Sequence, residues 1–338
     1  VFARSVTSEF GQLVSIYRDS RIERELDISV HRWSANSAIL YHDSILFAGG
    51  SILDGYELWR TVGTQDGVFL VMDIRPNDVP AGAPAEIRSS FPADFVLLGD
   101  EVIFTAAAPH SAARNIWLTA GTEISTKMLT RFSFEQTETP QSVAVTQDGR
   151  AAVIPTVQHV FFFTNTDGSG AWDGQLWVSN GTIAGTNWIK DFLPAAGATS
   201  AKVPLTVVVD NQLYLIVPSA ENEQTYELWV SDGTSTGTNW LFTFESDTSP
   251  SLVATAENIY FAFNQNGQGH FSYYRPETDR LRELALPSGF EPIQELVALN
   301  NKIYFANRVD GQSSLVFLAD ITMDNLYNFQ FRYPREQD

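Results

Sequence analysis

The chain contains no cysteine at all. Disulfide bonds, thiolate metal centres and a cysteine nucleophile are therefore excluded. Basic residues are scarce: 21 Lys and Arg stand against 40 Asp and Glu, a net charge of −19. Such a chain is repelled by nucleic acid phosphates and by anionic membrane surfaces, so a nucleic acid partner is not expected. No apolar run approaches the roughly 18–20 residues a transmembrane helix needs, and none is expected. Histidine is rare and scattered: His31, His42, His110, His159 and His270 show no metal-ligand spacing. Nucleophile elbow, phosphate-binding glycine loop and zinc-protease helix are all missing, as is any amphipathic helical stretch of useful length. VFARSV at the start does not read as a signal peptide, and one that existed is expected to have been removed.

Apolar residues make up 44% and aromatics 12%, which is ample for a large core. Four stretches repeat one another: ELWRTVGTQDGV, NIWLTAGTEIST, QLWVSNGTIAGT and ELWVSDGTSTGT. Their tryptophans, Trp59, Trp117, Trp177 and Trp229, are spaced by 58, 60 and 52 residues. Each copy carries alternating apolar residues, a turn, and a second alternating run. Tyr226, Leu228 and Val230 share one strand face, with Trp229 on the other. Gly63, Gly121, Gly181 and Gly233 occupy one turn position, and each is followed by threonine. A glycine recurring there predicts positive φ, and the threonine hydroxyl can cap turn amides.

Two further strands precede each hairpin, turning near Asp43-Ser44, Asp100-Glu101, Asn211-Gln212 and Asn301-Lys302. Each unit reads as four antiparallel strands, A to D from the axis outward, which predicts an all-β β-propeller. HFSYYRPETDRLRELAL (270–286) matches QLVSIYRDSRIERELDI (12–28) through Tyr274-Arg275 and Tyr17-Arg18. The expected blades are 38–75, 94–132, 144–193, 204–245, 250–286 and 293–333, with a partial one at 1–30. Seven blades of about 48 residues form one domain over 1–338, six or eight being the alternatives. The first lacks its innermost strand, which suggests an unusual closure, a start downstream of the true one, or a longer polypeptide.

ELWVSDGTSTGT resembles the ELWxSDGTxxGT repeat of bacterial proteins, mostly secreted or surface-associated, that are predicted to form propellers. The resemblance covers four hairpins strongly and implies the fold and an exported, envelope or extracellular setting; it implies no activity and no catalytic set. An acidic, cysteine-free composition fits that setting. SNGTIAGTNW (179–188) also resembles the Asp-box turn of sialidases, itself a structural device. Asn180-Gly181-Thr182 matches a glycosylation sequon, but the repeat turn explains it. At the position of Asp232 the other copies hold Val62, Ala120 and Asn180, which argues against a repeated calcium site.

Binding is expected on the opposite face, built from variable B-to-C and D-to-A connections. Asp54, Trp172, Asp173, Asn264, Asn266 and Asp310 are its candidate binding residues, with Trp172 and Phe290 as aromatic platforms for a sugar ring. Asn165, Asp167, Ser169 and Asp173 place oxygens at alternating positions as calcium prefers, yet no closing glutamate follows; an ordinary glycine-rich loop is the alternative. Calcium is the one cofactor suggested. For catalysis the candidates are His110, His270, Tyr273 and Arg275, from which a lyase site could assemble, or a carboxylate pair for glycoside hydrolysis. The reading preferred from sequence is a non-catalytic exported binding or assembly module. Its partner would be a protein, such as an envelope complex subunit, with polysaccharide second. A polysaccharide lyase or glycoside hydrolase on the same scaffold is the alternative.

Overall fold

A computed structural model describes residues 2–5, 10–16, 23–31, 37–51, 55–76, 88–109, 111, 113–132, 142–143, 153–165, 172, 174–193, 204–219, 222, 224–284, 296–299, 302–309, 312–318 and 329–332. The chain forms two compact units, Val1–Val203 and Pro204–Asp338.

The first sheet of the N-terminal unit contains β1 (Phe2–Ser5), β2 (Phe10–Ile16), β3 (Glu23–His31), β4 (Ala38–Tyr41), β5 (Ser44–Ser51), β6 (Gly55–Thr61) and β7 (Val68–Met72). The second contains β8 (Ala93–Leu98), β9 (Glu101–Ala107), β10 (Arg114–Thr119) and β11 (Lys127–Met128). The third contains β12 (Ser142–Val143), β13 (Val153–Pro155), β14 (Val160–Asn165), β15 (Gln175–Ser179) and β16 (Thr186–Asp191). Among the described residues the C-terminal unit holds three sheets. They are β17 (Leu205–Val209), β18 (Gln212–Pro218), β19 (Thr225–Ser231) and β20 (Asn239–Glu245); then β21 (Ser251–Ala254), β22 (Ile259–Gln265), β23 (Gln268–Arg275) and β24 (Arg280–Leu284); then β25 (Leu296–Leu299), β26 (Lys302–Val309), β27 (Gln312–Leu318) and β28 (Phe329–Arg332). These three and the second sheet are four-strand antiparallel meanders, and β4–β7 and β13–β16 repeat the pattern within the first and third sheets; this is the blade unit of a β-propeller, and that is the fold class.

The three strands of the first sequence unit have no sheet to themselves. β3 pairs with β5 at Ser29↔Gly50 and Val30↔Gly49. The short β4 covers only the first half of β5, through Tyr41↔Ser44 to Ala38↔Phe47, and leaves the rest of that edge to β3.

Turn chemistry explains the tight hairpins. Asp210-Asn211 joins β17 to β18 with φ of 50° and 65°, and Asn266-Gly267 joins β22 to β23 with 53° and 72°. Two positive φ values in a two-residue loop match the right-handed twist of the strands, and Asn, Asp and Gly tolerate them best. Second strands read as near-continuous apolar runs because both faces are covered. In β18, Tyr214 and Ile216 pack into one cluster with Leu228, Phe261 and Phe263 of the same unit, while Leu213, Leu215 and Val217 are buried on the other face. Leu98, Ile103, Leu118 and Phe132 likewise meet Val160 and Phe162 across the second and third sheets.

The four motif tryptophans occupy equivalent places. Trp59, Trp117, Trp177 and Trp229 pair with Phe47, Phe104, Phe162 and Leu215 on one side, and with Leu70, Met128, Trp188 and Trp240 on the other. A register shift precedes Trp59, Trp177 and Trp229, a β-bulge repeated with the sequence.

The repeated turn is a closed chain of hydroxyl hydrogen bonds. In the fourth copy Gly233 N donates to Ser231 Oγ at 3.2 Å, and Ser231 and Thr238 hydroxyls meet at 2.8 Å. Thr238 Oγ1 donates to Thr234 O at 2.7 Å, and Thr234 N and Oγ1 both donate to Asp232 Oδ1, at 2.8 and 2.7 Å. Asn180 accepts the same pair in the third copy. A Cβ on Gly237 would lie 2.1 Å from Asp232 Oδ1, and one on Gly185 2.0 Å from Asn180 Oδ1, so a side chain there would displace the turn's acceptor. The second copy has Ala120, which offers no oxygen, and Ser125 in place of that glycine. Ser125 Oγ accepts from Ala120 N, Thr122 N and Thr122 Oγ1, supplying from across the turn the acceptor alanine lacks. The carboxylate of Asp232 therefore serves the turn.

Candidate functional site

A buried polar cluster surrounds segment 88–94, which leads from the first sheet of the N-terminal unit into β8. Glu57, the first residue of the ELW motif, is 3% exposed. Its Oε1 accepts from Ser90 N at 2.9 Å, and its Oε2 accepts from Ser90 Oγ at 2.6 Å and Ile74 N at 2.9 Å. Burial pushes its carboxyl up from 4.5 to about 7; these three donors oppose the rise and the Asp73 charge adds to it. Burial lowers the Arg75 guanidinium and Glu57 counteracts this, while Arg75 Nη1 donates to Ser89 O at 3.2 Å. Ser89 Oγ accepts Tyr56 N at 2.8 Å, and Tyr56 O accepts Ser90 N and Phe91 N.

The same segment is held from the second sheet. Ala107 N donates to Ser90 O at 2.8 Å, and Arg114 Nη2 donates to Phe91 O at 3.1 Å and Thr105 O at 3.0 Å. Thr105 Oγ1 donates to Asp94 Oδ2 at 2.7 Å, and Arg114 contacts the same hydroxyl and lies 4.0 Å from Asp94 Oδ2. Burial lowers the Arg114 guanidinium, with Asp94 opposing. Phe91 and Asp94 have φ of 48° and 58°, and the register shifts between Ala93 and Val96. Left-handed backbone at non-glycine residues costs on the order of 1–3 kcal/mol each and persists only where surroundings enforce it. Here Glu57 and Arg114 enforce it. Both Glu57 oxygens accept protein donors, so this carboxyl clamps a connection.

Asn115, at the Glu57 position in the second copy, does the equivalent work. Its Oδ1 accepts Phe132 N at 2.7 Å and Thr130 Oγ1 at 2.9 Å. Gln175 and Glu227, in the third and fourth copies, instead accept the indole N–H of Trp177 and Trp229.

The residues singled out from sequence are not gathered at one place. Trp172 is a correction: it is fully buried, its indole N–H donates to Gln175 O at 3.2 Å, and it packs on Phe163 and Phe192. Its ring meets Phe163 edge-on and Phe192 at a tilt and is closed off from solvent, so it offers no platform to a sugar. Asn264 lies in β22, 4% exposed, with its Nδ2 donating to Thr248 Oγ1 at 2.8 Å. Asn266 is the exposed first residue of the two-residue turn between β22 and β23. His270 and Tyr273, three residues apart on β23, lie on opposite faces. His270 stacks on Phe263 with centroids 4.9 Å apart and sits 2.6 Å from Glu283 Oε1. Tyr273 is buried with Tyr260 and Phe271, and Arg275 Nε, at the strand's far end, donates to Asn258 Oδ1 at 3.0 Å. Asn165 pairs with Ser142 in the β12–β14 ladder. Asp54, His110, Asp167, Ser169, Asp173, Phe290 and Asp310 lie outside the described residues. Among the described residues no group of three or more His, Asp or Glu assembles into a metal-holding cluster, and no helix is long and apolar enough to cross a membrane.

No protein-family model and no curated protein matches the chain. Solved structures similar to it include the acylaminoacyl peptidase of Pyrococcus horikoshii, at 12% identity and a TM-score of 0.40 over 83% of this chain. The match spans 44% of that peptidase, less than half its length. Another is the β-propeller domain of the Trilobed protease from Pyrococcus furiosus, at 11% identity and TM-score 0.40, covering 83% of this chain and 81% of that one. A nidogen/laminin complex matches at 12% identity and TM-score 0.34, over 81% of this chain and 88% of that one.

Proposed function

We propose that this chain is a non-catalytic β-propeller serving as a rigid binding or assembly module, exported to the bacterial envelope or beyond it. Its partner is a protein, with extracellular polysaccharide second. The observation that carries the reading is the double clamp on segment 88–94. Glu57, which is buried, and Arg114, which is half-buried, both fix the connection between consecutive sheets. A connection held this way presents its neighbours with little ordering cost on association. The strain at Phe91 and Asp94 fits the same role, since it is tolerated only in a frame that does not relax.

The competing reading is a polysaccharide lyase or glycosidase, with His270 beside Glu283 as the acid–base pair. A depolymerisation screen over acidic and neutral polysaccharides separates the two. Turnover abolished by His270→Ala would overturn the binding-module reading; a stoichiometric complex with a purified protein partner and no turnover supports it.

A further inference from the structure

The end of the N-terminal unit that carries the repeated turns is continuous across its three sheets. In an antiparallel meander the first and third turns of each sheet lie at the same end. Tyr41 OH, in the first sheet, donates to Asp100 O of the second at 2.6 Å. A Cβ on Gly121 would lie 3.3 Å from the Tyr41 ring and 3.4 Å from Arg60 Nη1, so the second sheet's turn abuts the first sheet. A Cβ on Gly181 would lie 3.0 Å from Leu118 and 3.5 Å from Glu101 Oε2, so the third sheet's turn abuts the second.

Large apolar side chains stand out from this end. Ile124 is 100% exposed, Val157 82%, Ile183 62% and Val62 48%. The turn itself does not require them. In the fourth copy Ser235 and Thr236 occupy the positions of Glu123-Ile124 and Ile183-Ala184, and the same hydroxyl chain forms without an apolar tip. Acidic side chains surround these tips: Asp43, Asp66, Asp100 and Glu123 are exposed, and Glu101 is half-buried. Of the cations among the described residues there, Arg60 is bound to Ser44 Oγ at 2.7 Å and pairs with Asp43 at 3.5 Å, leaving Lys127 against Asp66, Asp100, Glu101 and Glu123. Exposed apolar groups rimmed by charge of one sign mark a surface for a partner of the opposite sign.

We propose that this turn end of the N-terminal unit docks a basic, partly apolar segment of a partner protein. The proposal rests on the binding-module reading and gives it a location and a partner chemistry. A fluorescently labelled synthetic peptide of alternating lysine and leucine, titrated by anisotropy at about physiological ionic strength, tests it. Saturable one-to-one binding is expected, weakened at least tenfold by Ile124→Ser combined with Ile183→Ser. The paired control Glu257→Gln and Glu277→Gln, which removes two exposed charges from the C-terminal unit, should leave affinity unchanged. Tip variants that bind like the parent overturn the proposal, as does equal weakening by the control, because binding would then follow charge alone. Hydrogen exchange locates the contact. Peptide-induced protection at Ser90 and Phe91 instead of the turn amides sinks this surface and leaves the binding-module reading standing. Absence of saturable binding sinks the proposal, and glycan turnover alongside it sinks the reading as well.

Discussion

The titration of Glu57 gives the sharpest test of the clamp. Its carboxyl moves from 4.5 in the unfolded chain to about 7 in the fold, burial being the largest cause. A group whose folded value is raised stabilises the fold fully below the unfolded value, and that stability drains away as pH rises through the folded value. At about 1.4 kcal/mol per unit, the shift amounts to roughly 3 kcal/mol lost between pH 4.5 and just above 7. The whole chain, at net −19, also loses stability as its carboxylates ionise, so the parent's slope alone is ambiguous. Glu57→Gln removes the titration and keeps the shape. One amide oxygen can still accept from Ile74 N and Ser90 Oγ, while the NH₂ group faces Ser90 N–H, a donor against a donor. The variant therefore carries a constant penalty of about 1–3 kcal/mol. Urea unfolding of both proteins from pH 4.5 to 8 isolates the carboxyl. The stability of the parent relative to the variant should fall by about 3 kcal/mol over that range, the fall centred between the two pKa values. A difference independent of pH would refute the reasoning. One that grows in the parent's favour as pH rises would mean that three donors outweigh desolvation, leaving the carboxylate as the preferred form.

Further outcomes follow from the same geometry. Thr105→Val should destabilise the N-terminal unit by about 2–4 kcal/mol, measured by denaturant unfolding, because buried Asp94 loses its hydroxyl donor. Trp172→Ala should cost about 3–5 kcal/mol in thermal or denaturant unfolding, as for a core aromatic; an unchanged midpoint would return Trp172 to the surface. In the second repeat, Ser125→Gly should cost about 1–2 kcal/mol by removing the turn's acceptor. Adding Ala120→Asp should recover most of that loss in a double-mutant cycle, since it recreates the fourth copy. Gly237→Ala should destabilise the fourth turn by about 1–3 kcal/mol through its clash with Asp232, read from hydrogen exchange of Thr234 and Thr238 amides.

Much of the architecture was legible because its causes are local. Gly233 with Thr234, and Ser231 with Thr238, lie within seven residues of one another, and their hydrogen bonds close inside that window. The apolar run of β18 shows in the chain itself because both faces must leave water. The candidate site was far less legible. Glu57, Asn115, Gln175 and Glu227 share one motif position, and nothing near them distinguishes two clamps from two indole acceptors. The signal that could have found Glu57 was a carboxylate amid an apolar strand, which needs partners once buried.

What the amino-acid order determines by itself is the repeating hairpin: the alternation of its strands and the positive-φ turns. Tertiary structure decided the rest. Ser90 reaches Glu57 across 33 residues and Arg114 reaches Phe91 across 23; Trp172 is buried by Phe192, brought back by β16. Such partners are selected by the path of the chain between them, so the role of a buried charge or an aromatic ring is written in which backbone group ends up across from it.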